Sequence, residues 1–163
     1  VNGALRWINT AAKPYALARA VENAIGFVRR SGFKVRELER GRVVCEMPLG
    51  RNRNHIGTMY AGALYTLAEV PGGALFLSSF DTRRFVPIVV ESRLRFVAPA
   101  KSAVRIEVAL SEERINEIQA EAAAQGKASF TLESELRSVA DDKVVAISQM
   151  DYQLRSKQRI SKA

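Results

Sequence analysis

The sequence predicts an α+β fold in which an antiparallel sheet wraps around one long apolar helix. The first observation is the stretch from Met59 to Phe80, which is apolar nearly throughout and long enough for about six turns of roughly 3.6 residues each. The second is the run of alternating, strand-like segments that follows it. A helix that is apolar on all sides has to be covered by protein on all sides, and a curved sheet provides that cover.

The composition fits a single globular domain over residues 1–163. The chain is 47% hydrophobic and 26% charged, which leaves enough apolar side chains for one core. No opening segment combines a basic start, an apolar run and a small-residue cleavage site, so we expect a cytoplasmic protein. With one cysteine, Cys45, and one histidine, His55, we expect neither an internal disulfide nor a metal centre.

The net charge of +8 raises the question of nucleic-acid binding, because basic residues that neutralise phosphates release counterions. Arginines and lysines are spread along the chain in small groups. That spacing suits a solvated surface or one anionic small ligand as well as it suits a polynucleotide. Since no recognised motif or aromatic platform accompanies the arginines, the sequence argues against nucleic-acid binding.

The first elements are a helix and a hairpin. Apolar residues recur at helical spacing between Tyr15 and Arg30, which predicts a surface helix over residues 14–31 that ends near Gly32. The segment 33–48 alternates around a turn at Arg40 and Gly41, which predicts two short antiparallel strands.

The central helix is predicted over residues 58–80, with Thr58 as its N-cap. Pro71 removes the amide that would bond to the carbonyl of Leu67, so we expect a bend just beyond Glu69. Because Glu69 and Pro71 interrupt the middle of this apolar segment, it does not qualify as a membrane span.

Four strands, one inserted helix and a tail complete the prediction. Ser111 is the expected N-cap of the helix and Gly126 follows its end. In chain order the segments are a half-buried strand at 85–98, a strand at 102–110, the helix at 112–125, strands at 127–138 and 143–154, and a tail at 155–163 that we expect to fray.

Glu69 is the main catalytic candidate, because it is a single carboxylate in a strongly apolar helix. A helical spacing puts six residues on its face: Gly62, Tyr65, Thr66, Gly72, Gly73 and Phe76. Each glycine costs a helix up to about 1 kcal/mol relative to alanine, so three of them predict a groove kept bare for a ligand. The alternative for the glycines is close packing of the helix against the sheet.

A glutamate withdrawn from water has a raised pKa, which suits a general base or a nucleophile. The amides at the helix start, near Tyr60, Ala61 and Gly62, are able to hold a developing oxyanion. The alternative is a structural carboxylate that is bonded to a backbone amide or an arginine. The helix by itself does not decide between them.

No nucleophile elbow accompanies His55, which favours a loop or gating residue over a general base.

Two motifs, NHIGTMYAGALYTLAE at 54–69 and RFVAPA at 95–100, resemble hotdog-fold thioesterases of the phenylacetyl-CoA thioesterase type. The resemblance covers residues 43–109 and implies a hotdog fold. It also implies that Glu69 acts as nucleophile or as base for water, that Ala61 supplies the oxyanion-hole amide, and that Asn54 positions the water or the thioester.

The same resemblance implies a homodimer, or a dimer of dimers, with active sites at the subunit interface. The implied substrates are acyl-CoA or acyl-carrier thioesters, hydrolysed with no cofactor beyond the coenzyme A of the substrate. An acyl groove would follow Gly62, Gly72 and Phe76, and Tyr65, Phe76 and Leu77 are candidates for the lining of an aromatic pocket or a fatty-acyl tunnel.

The sequence departs from the family pattern at three places. Tyr60 and Ala61 replace the histidine and first glycine of a His-Gly-Gly start, Val89 replaces a serine or threonine found in some members, and the helix at 112–125 is an insertion. With these departures, the sequence resembles a less characterised branch of the superfamily. They motivate the alternative function, a hotdog domain that binds acyl-CoA without hydrolysing it. A dehydratase is disfavoured because Tyr60 takes the place of its histidine.

Two arginine pairs are candidates for the phosphates of CoA. Arg93 and Arg95 share one face of a strand, and Arg83 and Arg84 precede that strand. The alternative is a solvated strand face on which Glu91 pairs with its neighbours.

Overall fold

A computed structural model describes residues 14–157 of the chain, which form four α-helices and one six-stranded sheet. A short 3₁₀ turn at Gly50–Asn52 precedes the central helix. In chain order the elements are α1 (Pro14–Ala24), α2 (Gly26–Ser31), β1 (Lys34–Glu39), β2 (Arg42–Met47), α3 (Ala61–Ser79), β3 (Phe85–Phe96), β4 (Val104–Ala109), α4 (Glu112–Gln125), β5 (Lys127–Ser138) and β6 (Val144–Ser156).

The sheet is antiparallel throughout, with the strand order β1-β2-β4-β5-β6-β3. Helix α3 contacts all six strands, and its residues Leu67 and Ala74 are completely buried. Because every strand reaches the same helix, the sheet curves around α3 and hides its apolar faces. The predicted α+β fold with a wrapped central helix is confirmed.

The N-terminal helix predicted over 14–31 is two helices instead of one. Ile25 has an extended backbone with φ −112° and ψ 121°, and it separates α1 from α2. The apolar spacing continues across this break, which is why periodicity alone did not indicate it. Gly26, a weak helix former, starts α2, and Gly32 ends it in the left-handed conformation with φ 78°.

The central helix begins later than predicted. Tyr60 occupies the N-cap position with extended backbone angles, and its side chain makes no capping hydrogen bond. Thr58 is not the cap, because α3 begins three residues after it, and its hydroxyl oxygen accepts a hydrogen bond from the Asn54 side chain at 2.9 Å. The Thr58 side chain therefore forms a hydrogen bond within the loop before α3 instead of capping the helix.

The C-terminal segment is more ordered than predicted up to residue 157. Arg155 belongs to β6 and pairs with Val86 of β3 on one side and Lys127 of β5 on the other. Pairing with two strands fixes a polar segment that would fray by itself. The rest of the predicted tail, 158–163, lies outside the described residues.

Strand β3 forms one edge of the sheet and is more exposed than the predicted half-buried strand. Its register shifts between Val89 and Glu91, so the bulged residue Val90 changes which side chains face α3. Ile88, Val90 and Phe96 are 38%, 50% and 52% exposed. Over residues 14–157, no helix has both the length and the apolar character that crossing a membrane requires.

Candidate active site

Glu69 lies on α3 at the wall of an apolar cavity of about 250 Å³. Burial raises the pKa of its carboxyl group above the ordinary value. Within residues 14–157, no side chain or amide forms an ion pair or a hydrogen bond with this carboxylate. The structural alternative requires such a partner, and the residues from 14 to 157 do not provide one.

Four separate parts of the chain enclose this cavity, which we call the Glu69 cavity. They are the end of α1, the middle of α3, the start of β3 with the turn before it, and the residue that follows β6. Its lining residues are Val21, Ala24, Ile25, Glu69, Val70, Gly73, Ala74, Phe76, Leu77, Thr82, Phe85, Val86, Pro87 and Lys157.

The three glycines of α3 have different surroundings. A Cβ atom on Gly72 would lie 2.0 Å from the Tyr152 hydroxyl, and one on Gly62 would lie 2.3 Å from the ring of Tyr60. A Cβ atom on Gly73 would meet nothing within 4 Å. The prediction of a bare groove is therefore wrong for Gly72, where close packing against the buried Tyr152 requires glycine. Gly62 faces the exposed ring of Tyr60, and of the three glycines only Gly73 opens onto the cavity.

Tyr152 is a residue of the site that sequence reasoning missed. Its hydroxyl donates a hydrogen bond to the main-chain carbonyl oxygen of Glu69 at 3.0 Å, and burial raises the pKa of the phenol. Its ring stacks on Phe130 with centroids 5.4 Å apart. These contacts hold the turn of α3 that carries Glu69. Strand alternation marks Tyr152 as buried, but no sequence signal links it to Glu69.

Phe76 connects the Glu69 cavity to an aromatic stack in the core. Its ring lies 5.9 Å from that of Phe80, which in turn lies 6.0 Å from Phe130. Phe76 also lines the cavity, as its predicted role in acyl binding requires.

The start of α3 presents two open amides. Ala63 and Leu64 both donate to the Tyr60 carbonyl oxygen, at 2.9 and 3.2 Å. Among the described residues, the amides of Ala61 and Gly62 have no hydrogen-bond acceptor. These amides carry the positive end of the helix dipole, so they are available to an anionic oxygen.

Asn54 mainly builds the loop before α3. Its side-chain oxygen accepts from the amides of Ile56 and Thr58, each at 3.1 Å, and its amide nitrogen donates to the Thr58 hydroxyl. One amide hydrogen remains for a water or a thioester. His55 is an exposed turn residue beside it, and neither side chain lines the Glu69 cavity.

The remaining predicted contacts lie outside the cavity. Tyr60 and Tyr65 are exposed, and the Tyr65 hydroxyl is 3.0 Å from that of Ser92 on β3. Thr66 is buried and donates to the Gly62 carbonyl oxygen at 2.8 Å, so its hydroxyl is already used within α3.

The arginine pair of β3 is only partly available to a ligand. Arg93 forms an ion pair with Glu91 at 2.7 Å, as the alternative of a solvated strand face predicted. Arg95 has no ion pair to another described residue.

The acidic, cysteine and histidine side chains do not form a metal site in the described part of the chain, where no three of them are grouped so that they could hold an ion. Cys45 is completely buried, and burial raises the pKa of its thiol, as expected of a core residue.

Solved structures with the same architecture include several thioesterases. A Pseudomonas aeruginosa protein of unknown function, PA5026, named a probable thioesterase, is 50% identical, with 89% of this chain and 97% of that chain covered and a TM-score of 0.86. Two others show likeness of fold alone. A variant of thioesterase PA1618 of Pseudomonas aeruginosa is 16% identical (90% and 96% covered, TM-score 0.68), and thioesterase HI1161 of Haemophilus influenzae is 14% identical (89% and 92% covered, TM-score 0.67).

The sequence itself matches one family model. Residues 14–152 match the domain of unknown function DUF4442, whereas no curated protein matches the chain. The structural neighbours are thioesterases of the hotdog fold, as the two sequence motifs implied. The chain therefore belongs to the DUF4442 family and has the hotdog fold.

Proposed function

We propose that the protein hydrolyses acyl thioesters, with acyl-CoA as substrate and Glu69 as the reactive carboxylate. The observation that carries the proposal is a partly buried glutamate, unpaired within residues 14–157, at the wall of an apolar cavity. The similarity to PA5026, named a probable thioesterase, supports the reaction class.

Glu69 has two possible chemical roles, and both consume one water molecule. As a general base, its carboxylate takes a proton from water while the water oxygen attacks the thioester carbon. As a nucleophile, a carboxylate oxygen forms an anhydride with the acyl group, which water then hydrolyses. In both routes the C–S bond breaks, the thiolate leaves and is protonated, and the carboxylate is regenerated. The raised pKa of Glu69 makes it a stronger base than an ordinary glutamate.

The oxyanion donors and Glu69 lie too far apart to act together within one protomer. Ala61 and Glu69 are separated by eight residues of α3, or roughly 12 Å at 1.5 Å per residue. A thioester carbon and its carbonyl oxygen are only one bond apart. The open amides of one protomer must therefore act with Glu69 of the partner subunit.

A symmetric homodimer supplies this arrangement. Tyr65 lies midway between Ala61 and Glu69 along α3, is 44% exposed, and contacts Ser92 on the edge strand. When two antiparallel α3 helices meet around a two-fold axis near Tyr65, position 61 of one helix faces position 69 of the other. The exposed apolar side chains of the 12-residue edge strand β3 support pairing at this edge.

The Glu69 cavity limits the size of the acyl group. An apolar cavity of about 150 Å³ binds benzene, which has six carbon atoms. By the same measure, the cavity of about 250 Å³ accommodates an acyl group of roughly ten carbons. We therefore propose medium-chain or aryl acyl groups as substrates.

The test is thiol release from acetyl-, octanoyl-, phenylacetyl- and palmitoyl-CoA by wild-type protein and by Glu69→Gln. We expect octanoyl- or phenylacetyl-CoA to be hydrolysed fastest, and Glu69→Gln to lose roughly 10²- to 10⁴-fold in rate, the usual contribution of a general base. Glu113→Gln, which alters an exposed carboxylate on α4, is the matched control and should retain full rate. Full activity of a folded Glu69→Gln protein would exclude this mechanism.

The alternative function is binding of acyl-CoA without hydrolysis. It is favoured by Val89, which is packed against the core at a position where some thioesterases with this motif carry a hydroxyl. Saturable binding of octanoyl-CoA by calorimetry, with no thiol released by folded wild-type protein, would identify this function.

A further inference from the structure

We propose that four arginines, Arg29, Arg30, Arg51 and Arg53, form a binding site for the phosphate groups of CoA. We call this surface the arginine patch. The proposal rests on the proposed function for the identity of the substrate, but CoA binding tests it separately. It adds a recognition site for the nucleotide end of the substrate, away from the Glu69 cavity.

The arginine patch lacks the counterions that several arginines of the sheet have. On the sheet, Arg36 pairs with Glu46 at 2.8 Å and Arg105 with Asp142 at 2.7 Å. The four arginines of the patch form no ion pair with any residue in 14–157. The segments 23–36 and 47–68, which contain them, have no aspartate or glutamate at all. The patch is therefore a concentration of uncompensated positive charge.

Specific hydrogen bonds bring the two segments together. The Asn52 side chain donates to the carbonyl oxygens of Ser31 and Pro48 at 2.8 and 2.7 Å, and Arg51 donates to the Arg30 carbonyl oxygen at 3.2 Å. These bonds attach the 3₁₀ turn to the end of α2. The bond between Arg51 and Arg30 thus makes the two segments neighbours, and all four arginines are exposed.

The guanidinium groups retain most of their donors. Arg51 uses one N–H in its bond to Arg30, and Arg53 uses one in a bond to the Gly57 carbonyl oxygen at 2.9 Å. A guanidinium has five N–H donors in a planar fork that matches phosphate oxygens. CoA carries a diphosphate and a separate phosphate, so it offers several sets of phosphate oxygens. Four arginines match these better than they match a single phosphodiester.

Each of the two segments that carry the patch adjoins a part of the protein that the proposed function uses. Ile25, which immediately precedes α2, lines the Glu69 cavity, and Arg29 follows it by about one helical turn. On the other side, the Tyr60 amide at the start of α3 donates to the Asn52 carbonyl oxygen at 2.8 Å. A ligand that extends from the cavity past Ile25 would meet Arg29 about one helical turn further on.

The experiment measures the affinity for free CoA by calorimetry at fixed ionic strength. We compare wild type, Arg29→Gln/Arg30→Gln, Arg53→Gln, and the control Arg105→Gln/Arg114→Gln, which removes two charges elsewhere. The patch variants should bind CoA more weakly, by roughly tenfold for each arginine that no longer binds a phosphate, and the control should match wild type. Circular dichroism establishes that each variant is folded, and the single variant Arg53→Gln serves if the double variant is not.

Hydrolysis of two octanoyl thioesters gives the second readout. The patch variants should raise the KM for octanoyl-CoA and leave hydrolysis of octanoyl-N-acetylcysteamine, which lacks the nucleotide, unchanged. Unchanged CoA affinity, an equal loss in the control, or an equal loss with octanoyl-N-acetylcysteamine would overturn the proposal. If neither thioester is hydrolysed, the proposed function fails while the CoA affinities still decide whether the patch binds phosphate.

Discussion

Gly72 and Gly73 are neighbours on α3, yet they have opposite surroundings. Gly72 is buried against the hydroxyl and ring of Tyr152, whereas Gly73 faces open space in the Glu69 cavity. The same residue type therefore permits close packing at one position and leaves room for a ligand at the next. A glycine near a catalytic candidate does not by itself mark a binding groove.

The largest effect on stability is expected for Gly72→Ala. The added methyl group would lie 2.0 Å from the Tyr152 hydroxyl oxygen and 2.3 Å from its ring carbon. Because that ring is buried and stacked on Phe130, it has little room to move. We expect the free energy of unfolding to fall by about 2–3 kcal/mol, the cost of overpacking a core. Urea unfolding measures this, and an unchanged midpoint would contradict the described packing.

A smaller effect is expected for Tyr152→Phe, which keeps the ring and removes the hydrogen bond to the Glu69 carbonyl oxygen. We expect a loss of about 1 kcal/mol in the free energy of unfolding, typical of one hydrogen bond. Urea unfolding of this variant beside Gly72→Ala separates the hydrogen bond from the packing. A loss as large as that of Gly72→Ala would mean that the hydroxyl does more than donate this bond.

The change at Gly73 is expected to have the opposite sign. Gly73→Ala meets no atom within 4 Å, so the better helix propensity of alanine should raise the free energy of unfolding by up to about 1 kcal/mol. Gly73→Leu, in contrast, fills the cavity and should slow the hydrolysis of octanoyl-CoA relative to the hydrolysis of acetyl-CoA. Destabilisation by alanine, or an unchanged acyl preference with leucine, would show that this face of α3 is not open.

The smallest stability effect is expected from the pH dependence of Glu69. Burial raises its pKa in the folded state above the ordinary value of 4.5, so the folded protein keeps a proton that the unfolded chain has lost. The contribution of Glu69 to the stability of the wild type should therefore fall as the pH rises from below 4.5 through the raised pKa, and then remain lower.

Glu69→Gln does not titrate and serves as the reference for this effect. The Tm of Glu69→Gln minus the Tm of wild type should increase over the same pH window and stay constant above it. Glu113→Gln, which removes one exposed carboxylate on α4, is the control for the loss of a negative charge. A Tm difference that shrinks with rising pH would mean that the carboxylate is stabilised by a partner in the folded protein.

The parts of the fold that local rules determine were predictable. The hairpin turn at Arg40 and Gly41 lies between β1 and β2, and the Ser111 side chain accepts from the Arg114 amide at the start of α4. The break at Ile25 and the ordered end of β6 were not predicted. The end of β6 depends on pairing with β3 and β5, which overrides its polar composition, whereas the break at Ile25 interrupts an apolar periodicity that continues across it.

The site was predictable only at its single most unusual residue. Glu69 stood out as a carboxylate in an apolar helix, but the walls of its cavity come from four distant parts of the chain. Tyr152, which holds the same turn, is 83 residues away in sequence. The spacing of residues along one helix indicates neither the cavity walls nor the contact with Tyr152, and it cannot distinguish Gly72 from Gly73.

The position of β3 in the sheet has a consequence for how the chain is made. Among the described strands β3 pairs only with β6, from Phe85 with Ser156 to Phe96 with Ala146. A ribosome adding roughly 5–20 residues per second needs several seconds to reach the end of β6 after completing β3. During that time β3 has no partner within its own chain. Folding of this sheet is therefore completed only when its last strand has been synthesised, and a chain that stops before β6 leaves β3 unpaired.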